Sequence, residues 1–160
     1  MSKEEWLEKV FGVLLTKVIK PDVEIDSIAS MNESELDSFI NNYQIKGLIL
    51  DVDETLRYNM EDIDENVQRW LDMASKKVKI IAVSNGLDKK IESFFNERSI
   101  DYISMAFKPF KYNLLKACRR LELDPRETAI IGDDLFEDIY GGKNIKMKTV
   151  LVKNINRNIY

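Results

Sequence analysis

The fold is decided by the stretch Gly47–Thr55, which reads GLILDVDET and in which an apolar run leads directly into a cluster of acidic residues. An apolar run without polar alternation is typical of a strand that is covered on both faces, as in a parallel sheet between two helical layers. The acidic residues then lie just beyond the carboxyl end of that strand, which is the edge at which open α/β sheets bind their ligands. The stretch therefore predicts a central strand with a polar site at its end.

The rest of the chain alternates between apolar runs of strand length and amphipathic segments of helical length. The predicted strands are Gly47–Val52, Val78–Val83, Tyr102–Phe107, Thr128–Ile131 and Thr149–Val152. The predicted helices between them are Asn66–Ser75, Lys89–Glu97 and Tyr112–Leu121. Because strands that are separated by helices pair in parallel through right-handed crossovers, the predicted fold class is α/β, a three-layer doubly wound parallel sheet of Rossmann-like type.

The region upstream of this alternation predicts helices. Apolar residues recur at helical spacing over Trp6–Val18, which favours a helix packed on the sheet; the lysines that follow this face are also compatible with a helix at a membrane surface. A second helix is predicted over Glu33–Asn42, with Asn32 as its N-cap. Residues 1–45 are therefore expected to form a helical extension packed on a single domain that spans 1–160.

Composition restricts the chemistry that the chain can carry out. The 160 residues include no histidine and one cysteine, Cys118, so catalytic triads with histidine and zinc sites built from histidine or several cysteines are excluded. A metal site would use oxygen ligands, which favours Mg²⁺, Mn²⁺ or Ca²⁺. The net charge of −4 argues against a nucleic-acid partner. Since neither a secretion signal nor an apolar run of about 18 residues is present, a cytoplasmic location is expected.

Polar side chains of complementary chemistry follow four of the predicted strands. In chain order they are Asp51, Asp53, Thr55, Ser84, Asn85, Lys108, Asp133 and Asp134. The carboxyl ends of parallel strands meet at one edge, so we expect these side chains to lie close together. Crowded carboxylates repel one another unless a cation lies among them, and a divalent cation also allows a phosphate dianion to approach an anionic nucleophile. The pattern therefore indicates a site for phosphoryl transfer.

The order of these residues resembles the four signature motifs of the haloacid dehalogenase (HAD) superfamily. Asp51–Thr55 resembles its first motif, DxDxT, and Ser84, Lys108 and Gly132–Asp138 resemble the second, third and fourth. The resemblance implies the HAD form of the Rossmann-like fold and a phosphoric monoester hydrolase.

A narrower resemblance is to the YqeG family, a capless bacterial branch of HAD subfamily IIIA that is related to phosphatases acting on phosphatidylglycerophosphate. The segments that carry it are Lys20–Asp22, Ile45–Leu50, Phe107–Pro109, Gly132–Asp138 and Gly141-Gly142. The chain departs from that family at Glu54, Asp134 and Lys143-Asn144. Glu54 in this setting also resembles capless HAD phosphatases that act on phosphoproteins.

The HAD resemblance implies a catalytic role for each motif residue. Asp51 would be the nucleophile that forms an aspartyl-phosphate, and Asp53 would protonate the leaving oxygen and then activate water. Thr55 would steady the loop. Ser84 and Lys108 would hold the phosphate, and Lys108 would also keep Asp51 ionised.

The same resemblance implies a Mg²⁺ site. Its ligands would be the Asp51 carboxylate, the backbone carbonyl of Asp53 and the Asp133 carboxylate, with waters completing an octahedron. Either Asp134 or Asp138 would complete or orient this shell. Asp138 is favoured, since helical spacing from Asp134 turns it back toward the site.

The spacing between motifs leaves no room for a cap domain. Leu56–Lys77 and Asn85–Ile103 each have the length of one helix and its connections. An open site suits a bulky substrate that covers it, or an oligomer that supplies the missing wall. The expected substrates are a phosphorylated small molecule, a lipid head group such as that of phosphatidylglycerophosphate, or a phosphoprotein. Candidate contacts to the substrate, besides Ser84 and Lys108, are Asn85, Arg57, Tyr58 and Lys143.

Two alternatives use the same residue types. A two-component receiver domain would employ Asp51, Ser84 and Lys108, but it needs an acidic pair on an earlier strand, whereas the extra acidic residues here are Asp53 and Asp133. A catalytically silent HAD-fold binding module would have the same fold but would hydrolyse no substrate. The complete set of catalytic residue types argues against that second alternative.

Overall fold

The computed structural model describes residues 1–154, and the side chains of these except 15–18. Within that range the apolar runs form one sheet of six parallel strands, in the order β1-β6-β5-β2-β3-β4. The strands are β1 (Val23–Ile25), β2 (Gly47–Leu50), β3 (Lys79–Val83), β4 (Asp101–Ile103), β5 (Thr128–Gly132) and β6 (Lys148–Val152). Strand β2 pairs with β3 and β5, and all four of its residues are buried, as an apolar run without alternation predicts. The predicted α/β fold class is confirmed.

Helices cover both faces of this sheet. The helices of the described residues are α1 (Lys3–Val18), α2 (Glu33–Tyr43), α3 (Glu65–Ser75), α4 (Lys89–Glu97), α5 (Lys111–Leu121) and α6 (Gly141–Asn144), of which α2, α3 and α4 pack on one face and α5 on the other. Leu48 and Leu50 of β2 belong to a core shared with residues of α2, α3 and α4, while Ile49 belongs to a second core that contains Leu114 of α5. This alternation places one strand between two apolar layers, which is the three-layer arrangement that the sequence predicts.

The N-terminal region contributes a strand that the sequence analysis missed. Val23–Ile25 pairs in parallel with β6 and extends the sheet by one strand, so the expectation of a purely helical extension over 1–45 is corrected. Asp22 fixes the start of this strand, because its carboxylate accepts hydrogen bonds from the Thr149 backbone N–H (2.9 Å) and hydroxyl (3.0 Å). A strand of three residues with one buried side chain is too short to produce a recognisable apolar period.

The third predicted strand is shorter than expected. The strand ends at Ile103, and Met105 and Phe107 adopt positive φ angles of 49° and 53°. The backbone N–H of Ala106 donates to the Ser84 carbonyl (3.0 Å), so this segment folds across the end of β3 instead of continuing the ladder. The turn delivers Lys108 to the middle of the sheet edge.

The two N-terminal helices differ in how well the sequence predicts them. The N-cap of α2 is confirmed, because the Asn32 side chain accepts the Glu35 N–H at 2.9 Å. Helix α1 forms, but Trp6 and Phe11 are each 51% exposed, so the expected packing of its apolar face on the sheet is not observed for its described side chains. Phe11 instead meets Phe136 edge to face, with ring centroids 5.8 Å apart.

Among the helices that the structure describes, none is both long enough and apolar enough to span a bilayer.

Candidate active site

Asp51 is the first residue after β2, and hydrogen bonds hold both its main chain and its carboxylate. The Asp51 backbone N–H donates to the Ile131 carbonyl of β5 at 3.0 Å, which fixes its main chain. Oδ2 of Asp51 accepts the Thr55 hydroxyl at 3.0 Å, and Oδ1 accepts the Lys108 ammonium at 2.7 Å. Asp51 is buried, at 6% exposure of the residue. Both oxygens are thus held in fixed directions at the carboxyl edge of the central strand.

Lys108 lies between two carboxylates inside the protein. Its ammonium is 2.7 Å from Asp51 and 2.7 Å from Asp138, and its side chain is fully buried. Burial by itself would lower the pKa of Lys108, but the charges of Asp138 and Asp51 outweigh burial and raise that pKa above its ordinary value. The lysine therefore remains an ammonium at neutral pH, as its predicted role requires.

Asp51, Asp133 and Asp138 form a cluster that fits a cation. One carboxylate oxygen from each lies within 4.8 Å of the others. Burial, together with the charge of Asp51, raises the pKa of Asp133 to about 8, and burial raises the pKa of Asp138 to about 7 despite the opposing effect of Lys108. Carboxylates that resist ionisation in this way are stabilised by a hard divalent cation with oxygen ligands. We refer to Asp51, Lys108, Asp133 and Asp138 as the nucleophile cluster.

Asp138 reaches this cluster because of the local backbone after β5. Asp134 caps the following segment, a π-helical turn over Leu135–Tyr140, by accepting the N–H groups of Phe136 (2.9 Å) and Glu137 (2.7 Å). The Asp134 N–H in turn donates to Asp138 Oδ2 at 3.2 Å. Asp134 is thus used as a cap while Asp138 points inward, which agrees with the preference for Asp138 in the sequence analysis.

Gly132 makes room for the Asp138 carboxylate, a role that the sequence analysis missed. A Cβ atom at Gly132 would collide with Asp138 Oδ2 and Cγ. The signal in the sequence is a glycine directly before Asp133-Asp134, but the contact itself depends on the tertiary fold. The site therefore requires a residue without a side chain at this position.

Ser84 and Asn85 follow β3 on the other side of β2. Ser84 is 3% exposed, and its hydroxyl accepts the Gly86 N–H at 3.1 Å. The Asn85 amide is bonded to both backbone groups of Lys108: Oδ1 accepts its N–H at 2.7 Å, and Nδ2 donates to its carbonyl at 3.2 Å. Asn85 thus fixes the loop that carries Lys108, and its contact with substrate stays a prediction.

Comparison with known proteins finds similarity over the segments that form this site. A family model of HAD-hydrolase-like proteins matches residues 106–155, which include Lys108, Asp133 and Asp138. "Probable phosphatase YqeG" of Bacillus subtilis is 28% identical over 141 residues, which are 87% of this chain and 80% of that protein. A solved HAD superfamily (subfamily III A) hydrolase from Legionella pneumophila superposes with a TM-score of 0.56 at 20% identity, over 76% of this chain and 72% of that one. The chain is similar to HAD-like hydrolases in sequence and shares their fold.

A shorter match is to the glyceraldehyde 3-phosphate phosphatase of Pyrococcus abyssi, which is 38% identical over 64 residues. That match covers 40% of this chain but 27% of the relative. The segments after β2 and β3 contain α3 and α4 within the part of the chain that the structure describes, and no cap domain is inserted there. The site is open, as the spacing between motifs predicts.

Arg57 is held away from solvent beside this site. Its side chain is 4% exposed, its Nε donates to Asp53 Oδ1 at 2.9 Å, and its Nη1 donates to Asp88 Oδ2 at 2.9 Å. We refer to Arg57, Asp53 and Asp88 as the Arg57 cluster. The sequence analysis missed Asp88, because nothing in the local pattern links it to Arg57. Substrate contact by Arg57 stays a prediction, and the observed partners of its guanidinium are carboxylates.

The two remaining candidates for substrate contact lie in different places. Tyr58 is close to the site: burial and the charges of Asp64 and Asp133 raise its pKa. Lys143 lies 3.9 Å from Asp22, at the start of β1, and this is the amino edge of the sheet. The structure therefore places Lys143 away from the site, because α6 runs back from the carboxyl edge toward β6.

Exposed apolar side chains border the open site. Those on the loops after β3 and β4 and in the first turn of α5, all about half exposed or more, are Leu87, Met105, Phe107, Phe110 and Tyr112. After β5, Phe136 and Tyr140 stack with centroids 5.6 Å apart. We call these seven side chains the apolar rim. Large exposed apolar surfaces of this kind mark interaction sites in soluble proteins.

Proposed function

We propose that this HAD-like chain is a Mg²⁺-dependent phosphatase that hydrolyses a phosphomonoester through an aspartyl-phosphate on Asp51. The observation that carries the proposal is the nucleophile cluster, in which Asp51 is bound by Lys108 and Thr55 and lies within 4.8 Å of Asp133 and Asp138. This cluster combines a carboxylate nucleophile with an ammonium and with two carboxylates that could share a cation, which suits the binding of a phosphate beside an anionic nucleophile.

The proposed first step transfers the phosphoryl group to Asp51. A carboxylate oxygen of Asp51 bonds to phosphorus while the bond to the leaving oxygen breaks, and Asp53 donates a proton to that oxygen. Lys108 and Ser84 hold the phosphate oxygens, and the Lys108 ammonium lies 2.7 Å from Asp51 Oδ1. In the second step Asp53, now a carboxylate, accepts a proton from water, whose oxygen displaces Asp51 from phosphorus.

The metal part of the proposal rests on the donor set. The Asp51, Asp133 and Asp138 carboxylates and the backbone carbonyl of Asp53 would hold Mg²⁺ as oxygen ligands. When bound, Mg²⁺ neutralises the crowded carboxylates and the phosphate charge. Without a cation, Asp133 and Asp138 hold protons more tightly than ordinary aspartates do, as their raised pKa values indicate.

A bulky amphiphilic phosphomonoester is the substrate class that the site supports best. The site is open, and the apolar rim lies on the same edge of the sheet as Asp51. Aromatic side chains with one polar end suit the boundary between a bilayer and water. We therefore propose a phospholipid such as phosphatidylglycerophosphate, reached from the cytoplasmic side by peripheral contact with the membrane. A phosphoprotein is the second candidate, since the same open site admits a folded partner.

The test compares three substrates with Mg²⁺ present: an aryl phosphate, phosphatidylglycerophosphate in vesicles, and a phosphopeptide. Asp51→Asn serves as the blank, and Asp72→Asn, an exposed aspartate on α3, serves as the matched control. We expect phosphate release from the vesicles by the wild type and Asp72→Asn but not by Asp51→Asn. Turnover that survives in Asp51→Asn would overturn the mechanism. Hydrolysis of the aryl phosphate without release from vesicles would overturn the lipid assignment alone.

A further inference from the structure

Arg57 is an internal cation whose position is fixed by its own backbone. Its N–H donates to the Val52 carbonyl at 3.2 Å, and its carbonyl accepts the Glu54 N–H at 2.7 Å. The side chain is 4% exposed, and its third nitrogen lies 3.7 Å from the Met60 sulfur. A guanidinium that is desolvated to this degree requires hydrogen-bonded anions. The carboxylates that bind Arg57 therefore indicate its role.

The first anion is Asp53, the proposed acid and base. Oδ1 of Asp53 accepts Nε of Arg57 at 2.9 Å. The other oxygen, Oδ2, lies 3.8 Å from the position that a Cβ atom would take on Gly86, in the loop that follows Ser84. Oδ1 is therefore bound by the arginine, while Oδ2 faces the loop that follows Ser84, the residue that we propose to hold a phosphate oxygen. Proton transfer requires a carboxylate that is held in this way, since its efficiency depends on orientation.

The second anion fixes the arginine. Oδ2 of Asp88 accepts Nη1 of Arg57 at 2.9 Å, while Oδ1 accepts the N–H groups of Lys90 (2.9 Å) and Ile91 (3.4 Å). Asp88 is thus the N-cap of α4 and an ion-pair partner at the same time. Through it, Arg57 connects the loop after β2, which carries Asp53, to the helix that follows Ser84 and Asn85. The planar guanidinium can bind both carboxylates at once, which a lysine ammonium in the same place does less well.

We propose that Arg57 is a positioning residue, which binds Oδ1 of Asp53 so that Oδ2 serves the leaving oxygen and the attacking water, with Asp88 holding Arg57 in place. This inference rests on the proposed phosphatase function and assigns Arg57 no contact with substrate. Because protonation matters most when the leaving group is poor, loss of Arg57 affects alkyl phosphates more than aryl phosphates that carry a good leaving group.

The first experiment measures kcat/KM for an alkyl phosphate and for p-nitrophenyl phosphate in Arg57→Met and Arg57→Lys. General acid catalysis contributes about 10²-fold or more, so we expect Arg57→Met to lose roughly 100-fold on the alkyl phosphate and roughly tenfold or less on the aryl phosphate. Arg57→Lys should fall between wild type and Arg57→Met. The control for lost packing is Arg98→Ala. Arg98 is a partly buried arginine that is far from Asp53 in sequence; it donates a hydrogen bond to Gln68 and lies over the Phe94 ring. Equal losses on both substrates would overturn the inference.

Two further measurements separate positioning from simple destabilisation. In an Asp53→Asn background, adding Arg57→Met should cause no further loss, because residues that act through one group are not additive. Free guanidinium chloride at low millimolar concentration should restore part of the activity of Arg57→Ala but not of Asp53→Asn. Additive losses in the double variant would contradict the inference.

The inference also has a readout that does not need turnover. A crystal structure of Arg57→Met should show the Asp53 carboxylate rotated away from its wild-type position. An unchanged carboxylate overturns the positioning role even if the chain hydrolyses no phosphomonoester. Wild-type turnover with unchanged kinetics in Arg57→Met would overturn the positioning role and leave the proposed phosphatase function standing.

Discussion

The nucleophile cluster and the Arg57 cluster flank the same loop after β2, yet their charges are balanced to different degrees. Among the described residues of the nucleophile cluster, one ammonium faces three carboxylates, and two of those carboxylates have raised pKa values. In the Arg57 cluster one guanidinium faces two carboxylates, and hydrogen bonds from Arg57 and the first turn of α4 lower the pKa of Asp88. The first cluster has two more carboxylates than cationic groups, whereas the second has one more, and its Asp88 also accepts backbone N–H groups of α4.

The comparison assigns the two clusters different tasks. A cluster with excess negative charge responds to metal ions and to pH. A cluster that is satisfied internally responds to changes in side-chain geometry, which is why we assign it to the positioning of Asp53. The predictions below test this division.

The largest effect is expected for Asp51→Asn. Because the amide is a poor nucleophile, turnover should fall by about 10³-fold or more, with little change in thermal stability. Steady-state phosphate release measures this loss. Asp72→Asn should match the wild type, and a comparable loss in that control would point to preparation effects and contradict the assignment.

A loss of about 100-fold is expected for Gly132→Ala. The added Cβ would collide with the Asp138 carboxylate, so the nucleophile cluster would be displaced, and overpacking of this kind costs about 1–3 kcal/mol of stability. Activity and the midpoint of urea unfolding measure the two effects. Gly12→Ala is the matched control, since a Cβ at Gly12 meets no atom within 4 Å. Wild-type activity in Gly132→Ala would show that Asp138 is dispensable.

The metal requirement should distinguish the two clusters. Asp133→Asn should raise the Mg²⁺ concentration for half-maximal activity by at least about tenfold, because a ligand oxygen becomes neutral. Asp88→Asn should lower activity without changing that concentration, since Asp88 is not among the proposed metal ligands. Titration of activity with MgCl₂ measures both. An equal shift in the two variants would contradict the division.

The smallest effect is a pH dependence of stability in the metal-free protein. Asp133 and Asp138 have folded-state pKa values of about 8 and about 7, whereas unfolded aspartates titrate near pKa 3.9. Because the folded state holds these protons more tightly than the unfolded state, Asp133 and Asp138 stabilise the fold fully below about pH 4. This stabilisation is lost as pH rises through 7 to 8.

The melting temperature in EDTA should thus fall by several degrees between pH 5.5 and pH 8.5, and Mg²⁺ should raise it more at the higher pH. Asp133→Asn should flatten this dependence, while Asp72→Asn should leave it unchanged. A melting temperature in EDTA that rises over this range would be inconsistent with crowded, uncompensated carboxylates.

The central strand and the motif residues could be predicted because their signals are local. Leu48–Leu50 is apolar throughout, and Asp51 follows it directly, so both burial and the edge of the site can be read from consecutive residues. Helix α4 begins and ends as predicted, at Lys89 and Glu97, because its apolar side chains recur at a regular interval. These features depend on neighbouring residues alone.

The features that could not be predicted depend on contacts between distant segments. Strand β1 exists because three residues pair with β6 more than a hundred positions away. Asp88 and Arg57 are 31 positions apart and carry no shared pattern, and the fit of Gly132 against Asp138 is visible only in three dimensions. The exposed face of α1 follows the same rule, since periodicity predicts a helix but not the surface that it meets.

The most direct test of the account is to identify the phosphorylated residue. The enzyme is mixed with an aryl phosphate and Mg²⁺, quenched with acid within the first turnover, digested and examined by mass spectrometry. The account predicts one phosphoryl group on the peptide that contains Asp51, absent from Asp51→Asn. Steady hydrolysis by the wild type with no phosphoryl group on Asp51, or with one on another residue, would contradict it.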